Sequence, residues 1–299
     1  MVPSAESGLS RRLCGACGWL PLVILPVVVI VTGAAWTPWI LMWALAFSIY
    51  IGLKWMTFAD AAASGRVSWG RSLGYLLLWP GMDAPAFFCS RRNVPIPACS
   101  ESVFATAKML FGFFLVLVVM PLFNRYPYLA GWIGMAGIIF VLHFGSFHLL
   151  SVFWRYRGID AAPLMDCPIL ALSLSDFWGR RWNLAFRDLS YTYVFRPFVG
   201  RLGPSGATML VFLVSGIVHD AVISIPAHAG FGLPTIYFVI QGCGLLAERS
   251  RLGKRFGLRN GVIGRGFCVV VTIAPACLLF HRPFVYRVII PMLTALEEF

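Results

Sequence analysis

Residues 173–220 read SLSDFWGRRWNLAFRDLSYTYVFRPFVGRLGPSGATMLVFLVSGIVHD. In a chain that is 59% hydrophobic and only 12% charged, this is where Arg, Asn, Asp and His collect beside apolar segments. A charge at the centre of a membrane helix costs roughly 2.5 to 3.5 kcal/mol on the insertion scale, so an ionisable residue there is a functional candidate by default. His219 and Asp220 are that candidate. Upstream, Ser173 with Asp176 resembles a capping box. From there Asp176, Arg180, Asn183 and Arg187 recur at helical spacing as one polar stripe, with Leu174, Trp178, Trp182 and Ala185 as the apolar one. The pattern predicts a single amphipathic helix over 173–187 lying at the lipid boundary. Contacts between its Arg residues and anionic headgroups account for most of it. Asn183 is what that account does not need, because a cation serves a headgroup better.

After a short Gly/Pro loop that includes Pro204, residues 207–225 form an apolar run of about 19 residues, long enough to cross the hydrocarbon core. Phe212, Ser215, Gly216, His219 and Ile223 share a face of it, and Ser and Gly there permit close approach of a neighbouring helix or a substrate. One reading of His219 is a structural hydrogen-bonder. The other is a neutral imidazole in apolar surroundings, able to take a proton from a hydroxyl group.

Composition agrees with a membrane setting throughout. A mean hydropathy of +0.81 with 11 Trp and 25 Phe describes an all-α multi-pass membrane protein, and 299 residues suit one integral domain, 1–299. The net charge of +12 sits between the apolar runs, where anionic lipid or an acidic cosubstrate would meet it. No basic, aromatic-interleaved soluble segment exists, so nucleic acid is not an expected partner. Cys14 and Cys17 form a CxxC without a second Cys or His pair at zinc spacing, and no metal site is expected.

Eight spans are expected: 19–35 and 38–53 as a hairpin rather than a signal peptide, 103–121, 129–153, 207–225, 233–247, 262–280 and 284–296. Between the second and third lies a mixed stretch with Arg66, Arg71, Arg91 and Arg92, whose apolar piece 73–79 is too short to span, ends at Pro80 and reads as interfacial or re-entrant. His143 and His148 diverge by about 140° on an ideal helix and do not chelate one metal. The cationic connections fall after spans two, four and six. The third carries Arg249, Arg251, Lys254, Arg255 and Arg259, which a positive-inside loop explains by itself. This parity puts both termini and Asn183 on the cytoplasmic side. No internal repeat supports an inverted-repeat transporter.

Two motifs carry a family resemblance. Phe177-Trp-Gly-Arg-Arg-Trp-Asn183, followed by Ser215-Gly-x-x-His219, resembles the membrane-bound O-acyltransferase family, above all its wax-synthase branch. Trp79-Pro80-Gly81-Met82-Asp83, and Gln241-Gly242 with Glu248, match further pieces, so the resemblance extends over about residues 75–250. It implies an active site of His219 and Asn183, a coenzyme A thioester as cosubstrate, no permanently bound cofactor, and a lipid-soluble alcohol as acceptor: a long-chain alcohol, a sterol or terpenoid alcohol, or an acylglycerol. On that reading Arg180, Arg181, Arg187, Trp178 and Trp182 hold the acyl-CoA. Ser215, Gly216, Gln241 and Glu248 are candidates to line the substrate tunnel. Many members are longer, with more spans. No GxSxG elbow is present, so direct attack in a ternary complex is the simpler chemistry. The alternative from another class is a lipid or anion transporter or flippase in which His219 and Asp220 relay protons. It leaves the Trp/Arg/Asn motif without a purpose.

Overall fold

The computed structural model describes residues 5–65, 67–89 and 94–297, with side chains from Gly18 to Leu296. Arg66, Arg91 and Arg92 lie outside these, as do the side chains of Arg11, Arg12, Cys14 and Cys17. Among the described residues there are helices and no strands. In chain order they are α1 (Ala5–Thr32), α2 (Pro38–Ala63), α3 (Trp69–Leu78), α4 (Cys99–Phe123) and α5 (Pro127–Tyr156). Next come α6 (Leu174–Asp176 continued by the wider turn Phe177–Arg181), α7 (Leu184–Ala227), α8 (Leu233–Arg249) and α9 (Gly261–Leu279), with the consecutive turns Arg282–Phe284, Val285–Ile289 and Ile290–Glu297 as α10.

Five of these, α2, α4, α5, α7 and α9, are long and apolar enough to cross a membrane. Among the described residues that makes five full-length spans, where eight were expected. The other three expected segments are also helical: α1 has 28 residues, of which Gly18–Thr32 have described side chains and are apolar, α8 has 17, and α10 is assembled from short turns. The expected interfacial piece is α3, ten residues that stop at Trp79, where Pro80 withholds the next amide donor.

The chain forms two compact units, one of Met1–Phe104 with Leu149–Ala162, the other of Ala105–His148 with Pro163–Phe299. In the first, α1 and α2 pack so closely that a Cβ on Gly52 would sit 2.4 Å from the Leu22 Cα. Lys54 of α2 is buried. Its ammonium donates to the Gly81 carbonyl and lies 3.3 Å from the centre of the Tyr75 ring, while the Tyr50 hydroxyl donates to the Trp79 carbonyl. The Trp79–Asp83 motif is thereby fastened through the Trp79 and Gly81 carbonyls.

In the second unit, α4 and α5 cross where Gly112 and Gly137 meet; a Cβ on Gly112 would lie 2.6 Å from the Val141 nitrogen. His148 accepts a hydrogen bond from the Lys108 ammonium at 2.7 Å, and His143 packs against Phe147, so the two imidazoles have separate surroundings. The expected Gly/Pro loop before the His219 segment contracts to a kink inside α7: Gly203 takes φ 66° and ψ 173°, and Pro204 follows it. Glycine alone populates that region freely, and proline's missing amide leaves no donor stranded at the bend. Helical structure therefore runs on both sides of one residue, from Leu184 to Ala227.

Candidate active site

Residues 173–187 do not form the single amphipathic helix expected of them. The segment breaks at Trp182, which is extended, and at Asn183, which has φ 44° and ψ 64°. Asn is among the few non-glycine residues that enter the left-handed region with modest penalty, because its short side chain bonds locally. Here Asn183 Oδ1 accepts from the Phe186 amide at 3.1 Å and caps the start of α7. The break is pinned from outside the segment. The Asp166 amide donates to the Arg181 carbonyl and the Leu184 amide to the Leu164 carbonyl, both at 2.9 Å. An ideal stripe through Asp176, Arg180, Asn183 and Arg187 does not survive this, since Asn183 and Arg187 belong to another helix.

The front of α6 follows its sequence signal. Ser173 Oγ accepts from the Asp176 amide at 3.1 Å, and Asp176 Oδ2 reaches back to the Leu172 amide at 3.2 Å, one residue beyond a standard capping box. Arg181 Nε donates to the same Oδ2 at 2.7 Å. Partial desolvation acts to raise the Asp176 carboxyl, but the Arg181 hydrogen bond, the Leu172 amide and the charges of Arg181 and Arg180 outweigh it and leave the group below its ordinary range. The pairing holds the Arg181 guanidinium above its usual value.

Asn183, at the break, borders a half-open cavity of about 320 Å³ within the second unit. Trp178 lines it from α6, Trp182 and Asn183 from the break, and Arg187, Ser215 and His219 from α7. Phe238 and Arg249 come from α8. That volume falls in the range of small-molecule sites, and the mix of aromatic walls with few polar groups is typical of them.

The hydrogen bonds fix what the two central side chains can still do. His219 Nδ1 lies 2.8 Å from the Ser215 carbonyl oxygen. A carbonyl cannot donate, so Nδ1 carries the proton, and in the neutral ring the lone pair is on Nε2. Phe238 holds the imidazole from one side, ring centres 4.5 Å apart. Asn183, with Oδ1 engaged as a cap, retains the two donors of its Nδ2. One residue thus offers a base and the other a hydrogen-bond donor to a shared space.

Residues 161–240, which contain both, match the model of the membrane bound O-acyl transferase family. The resemblance read from the two motifs is borne out. Among similar proteins, a probable long-chain-alcohol O-fatty-acyltransferase 7 of Arabidopsis thaliana is 36% identical over 142 residues, covering 42% of this chain and 41% of that protein. The long-chain-alcohol O-fatty-acyltransferase of Simmondsia chinensis is 38% identical over 128 residues, 38% of this chain and 36% of that protein. An acyl-CoA–sterol O-acyltransferase 1 of Arabidopsis thaliana is 38% identical over 71 residues, 21% of each. The chain thus matches about two fifths or less of the length of these relatives.

The remaining candidates divide. Ser215 lines the cavity. Gly216 does not; a Cβ there would lie 2.8 Å from the Thr235 Cα, so this glycine lets α7 and α8 touch. Gln241 and Glu248 are fully buried behind the wall rather than in it. Gln241 accepts from the Trp178 indole at 3.3 Å and donates to the Val271 carbonyl at 2.7 Å, and Glu248 accepts from the Leu174 amide at 2.6 Å. Arg180 is exposed and outside the lining, and Arg181 is engaged with Asp176 and the carbonyls of Asp166 and Cys167. Arg187 lines the cavity while donating to the Gly179 carbonyl at 2.9 Å and to Asp188. Sequence reasoning missed Arg249, which it left in the positive-inside cluster. Its only signal was its place one residue after Glu248, on the apolar helix that follows the His219 segment. Asp220, adjacent to His219, accepts from the Gly232 amide and the Thr235 hydroxyl, both at 2.8 Å, and so caps α8. Among the described residues no group of three or more His, Cys, Asp or Glu forms a metal site.

Proposed function

We propose that this protein transfers an acyl group from a coenzyme A thioester to the hydroxyl of a lipid-soluble alcohol within the membrane. The observation that carries the reading is that His219 and Asn183 line one cavity, the first with a lone pair on Nε2 and the second with free amide donors. In this reading His219 Nε2 takes the hydroxyl proton as the alcohol oxygen attacks the thioester carbonyl. Asn183 Nδ2 donates to the oxyanion that develops there. The C–S bond then breaks, the thiolate leaves and takes the proton from the imidazolium, and the new C–O bond is the ester. No covalent enzyme intermediate is needed.

Arg187 and Arg249, both exposed and both on the cavity lining, are better placed than Arg180 and Arg181 to meet the phosphates of the thioester's nucleotide. The aromatic walls favour a hydrophobic acceptor, and long-chain alcohols lead because two of the relatives named above carry that substrate in their names. Sterols follow, from the third. The cationic connections, and with them Asn183, are proposed to face the cytoplasm. In the proton-relay alternative Asp220 has one oxygen left to work with: Oδ2 is committed to the start of α8, while Oδ1 is buried without a hydrogen-bond partner.

The test is purified protein in lipid nanodiscs with radiolabelled acyl-CoA and a panel of long-chain alcohols, sterols and acylglycerols. Label should appear as an ester of a hydrophobic alcohol, with thiol released in equal amount. Absence of thioester consumption with every acceptor, or acylation of a peptide alone, would overturn the proposal.

A further inference from the structure

Glu248 is a carboxylate with no exposed surface, one residue before the end of an apolar helix. Burying a charge costs several kcal/mol unless donors surround it. The donors here are backbone amides. Glu248 Oε2 accepts from Leu174 at 2.6 Å and from Ser175 at 3.2 Å, and Oε1 accepts from Ser175 at 3.3 Å. These are first-turn amides of α6, which lack partners inside their own helix and sit at its positive end. An acid 74 residues away thus completes a helix start that Ser173 caps locally.

Seven residues earlier, on the same face of α8, Gln241 is equally buried and holds the Trp178 indole. Between them on that face lies Leu245, and three residues before Gln241 lies Phe238; both line the cavity, and Phe238 packs on His219 and on Trp178. One face of α8 therefore touches His219, the indole of Trp178 and the start of the helix that carries it. The wide turn Phe177–Arg181 leaves α6 without a full set of ordinary helical bonds, so its position depends on such outside anchors.

We infer that Glu248, together with Gln241, is a positioning residue that fixes the α6 wall against the His219 helix and thereby sets the acyl length the cavity accepts. The inference rests on the acyl-transfer reading for its acyl-length part; the anchoring part is independent of it. A buried ion pair is absent from this arrangement, so loss of the carboxylate leaves no unpaired cation, only two freed amides.

The experiment uses the full chain in detergent, as wild type, Glu248→Gln and Glu248→Leu. Amide exchange in the peptide covering 172–178 should rise by about tenfold or more at Leu174 and Ser175 in Glu248→Leu, with Glu248→Gln, which keeps a carbonyl acceptor, between it and wild type. Turnover is followed in parallel over a series from octanoyl- to stearoyl-CoA. Wild type should show one preferred length; Glu248→Leu should flatten the profile and raise KM most for the preferred chain, with Glu248→Gln restoring much of it. Gln241→Met, which releases Trp178 without touching Leu174, should flatten the same profile and serves if Glu248→Leu does not fold. Unchanged exchange in folded Glu248→Leu would overturn the anchoring. A uniform loss of rate across all chain lengths, in Glu248→Leu or Gln241→Met, would overturn the acyl-length assignment. If wild type consumes no thioester, the acyl-transfer reading falls with the acyl-length part, and the exchange measurement alone still decides the anchoring.

Discussion

Two pairs of polar side chains flank the Trp178–Asn183 segment, and they differ in what their hydrogen bonds leave over. Gln241 and Glu248 are buried with both ends engaged: amide oxygen and nitrogen in one, both carboxylate oxygens in the other. His219 and Asn183 each use one polar atom on the backbone, Ser215 O and Phe186 N, and keep the other for the cavity. The backbone bond orients the side chain, and the remaining atom is available for chemistry. Burial and polarity alone do not separate these pairs, since Glu248 is the more deeply buried and the more costly group. Remaining hydrogen-bonding capacity does.

The largest effect that tests this contrast belongs to His219. Replacing it by Ala should lower kcat by ~10²- to 10⁴-fold with little change in acyl-CoA affinity, because the base acts in the transition state. Turnover and binding measured on the same monodisperse sample give the answer, and full turnover in a folded variant would remove the base assignment.

Asn183 needs a more careful substitution than Ala, which would combine loss of the donor with loss of the cap and with strain of about 1 to 2 kcal/mol in the left-handed region. Asn183→Asp keeps an oxygen for the Phe186 amide and tolerates the same backbone. It removes the donor and brings negative charge toward the oxyanion. Its rate should fall by about 10²- to 10³-fold while thermal stability holds. A large loss of stability with little loss of rate would make Asn183 a cap and nothing more.

Asp220 comes next in size. It neighbours His219 but caps α8, so Asp220→Asn, which retains an acceptor, should change turnover by less than about tenfold, under 1.4 kcal/mol in the barrier. A loss equal to that of His219→Ala would return the pair to a shared proton path.

The smallest effect is at the Asp176–Arg181 pair. Because the folded carboxyl is depressed, its stabilisation is present above the unfolded carboxylate range near 3.9 and disappears as pH falls through the lower folded value. The pair is partly exposed, so Arg181→Gln should cost no more than about 1 kcal/mol at neutral pH. Thermal unfolding of wild type and variant should converge as the sample is acidified. A gap that persists at low pH would assign the effect to the Asp166 and Cys167 carbonyls instead.

The sequence on its own determined the membrane class, the short α3 and the cap at Ser173, and it singled out His219 and Asn183, which line one cavity, because each depends on local pattern: apolar run length, turn chemistry, or residue types at a fixed separation. It also pointed to a short Gly/Pro loop before the apolar run, which the structure closes to a kink at Gly203. What it got wrong is instructive in the same terms. The periodicity of 173–187 is good for a helix, but Leu164 and Asp166, distant from the pattern, supply backbone partners that hold Trp182 and Asn183 out of it. Likewise Gln241 and Glu248 entered as tunnel candidates through the family resemblance, and Gly216 as a residue that permits close approach of either a neighbouring helix or a substrate. Only tertiary structure decided that the first two face the back of α6 and that the third meets Thr235. Spacing along a helix fixes which residues share a face; which neighbour that face meets, and how many donors and acceptors remain once they have paired, is set by how the helices pack.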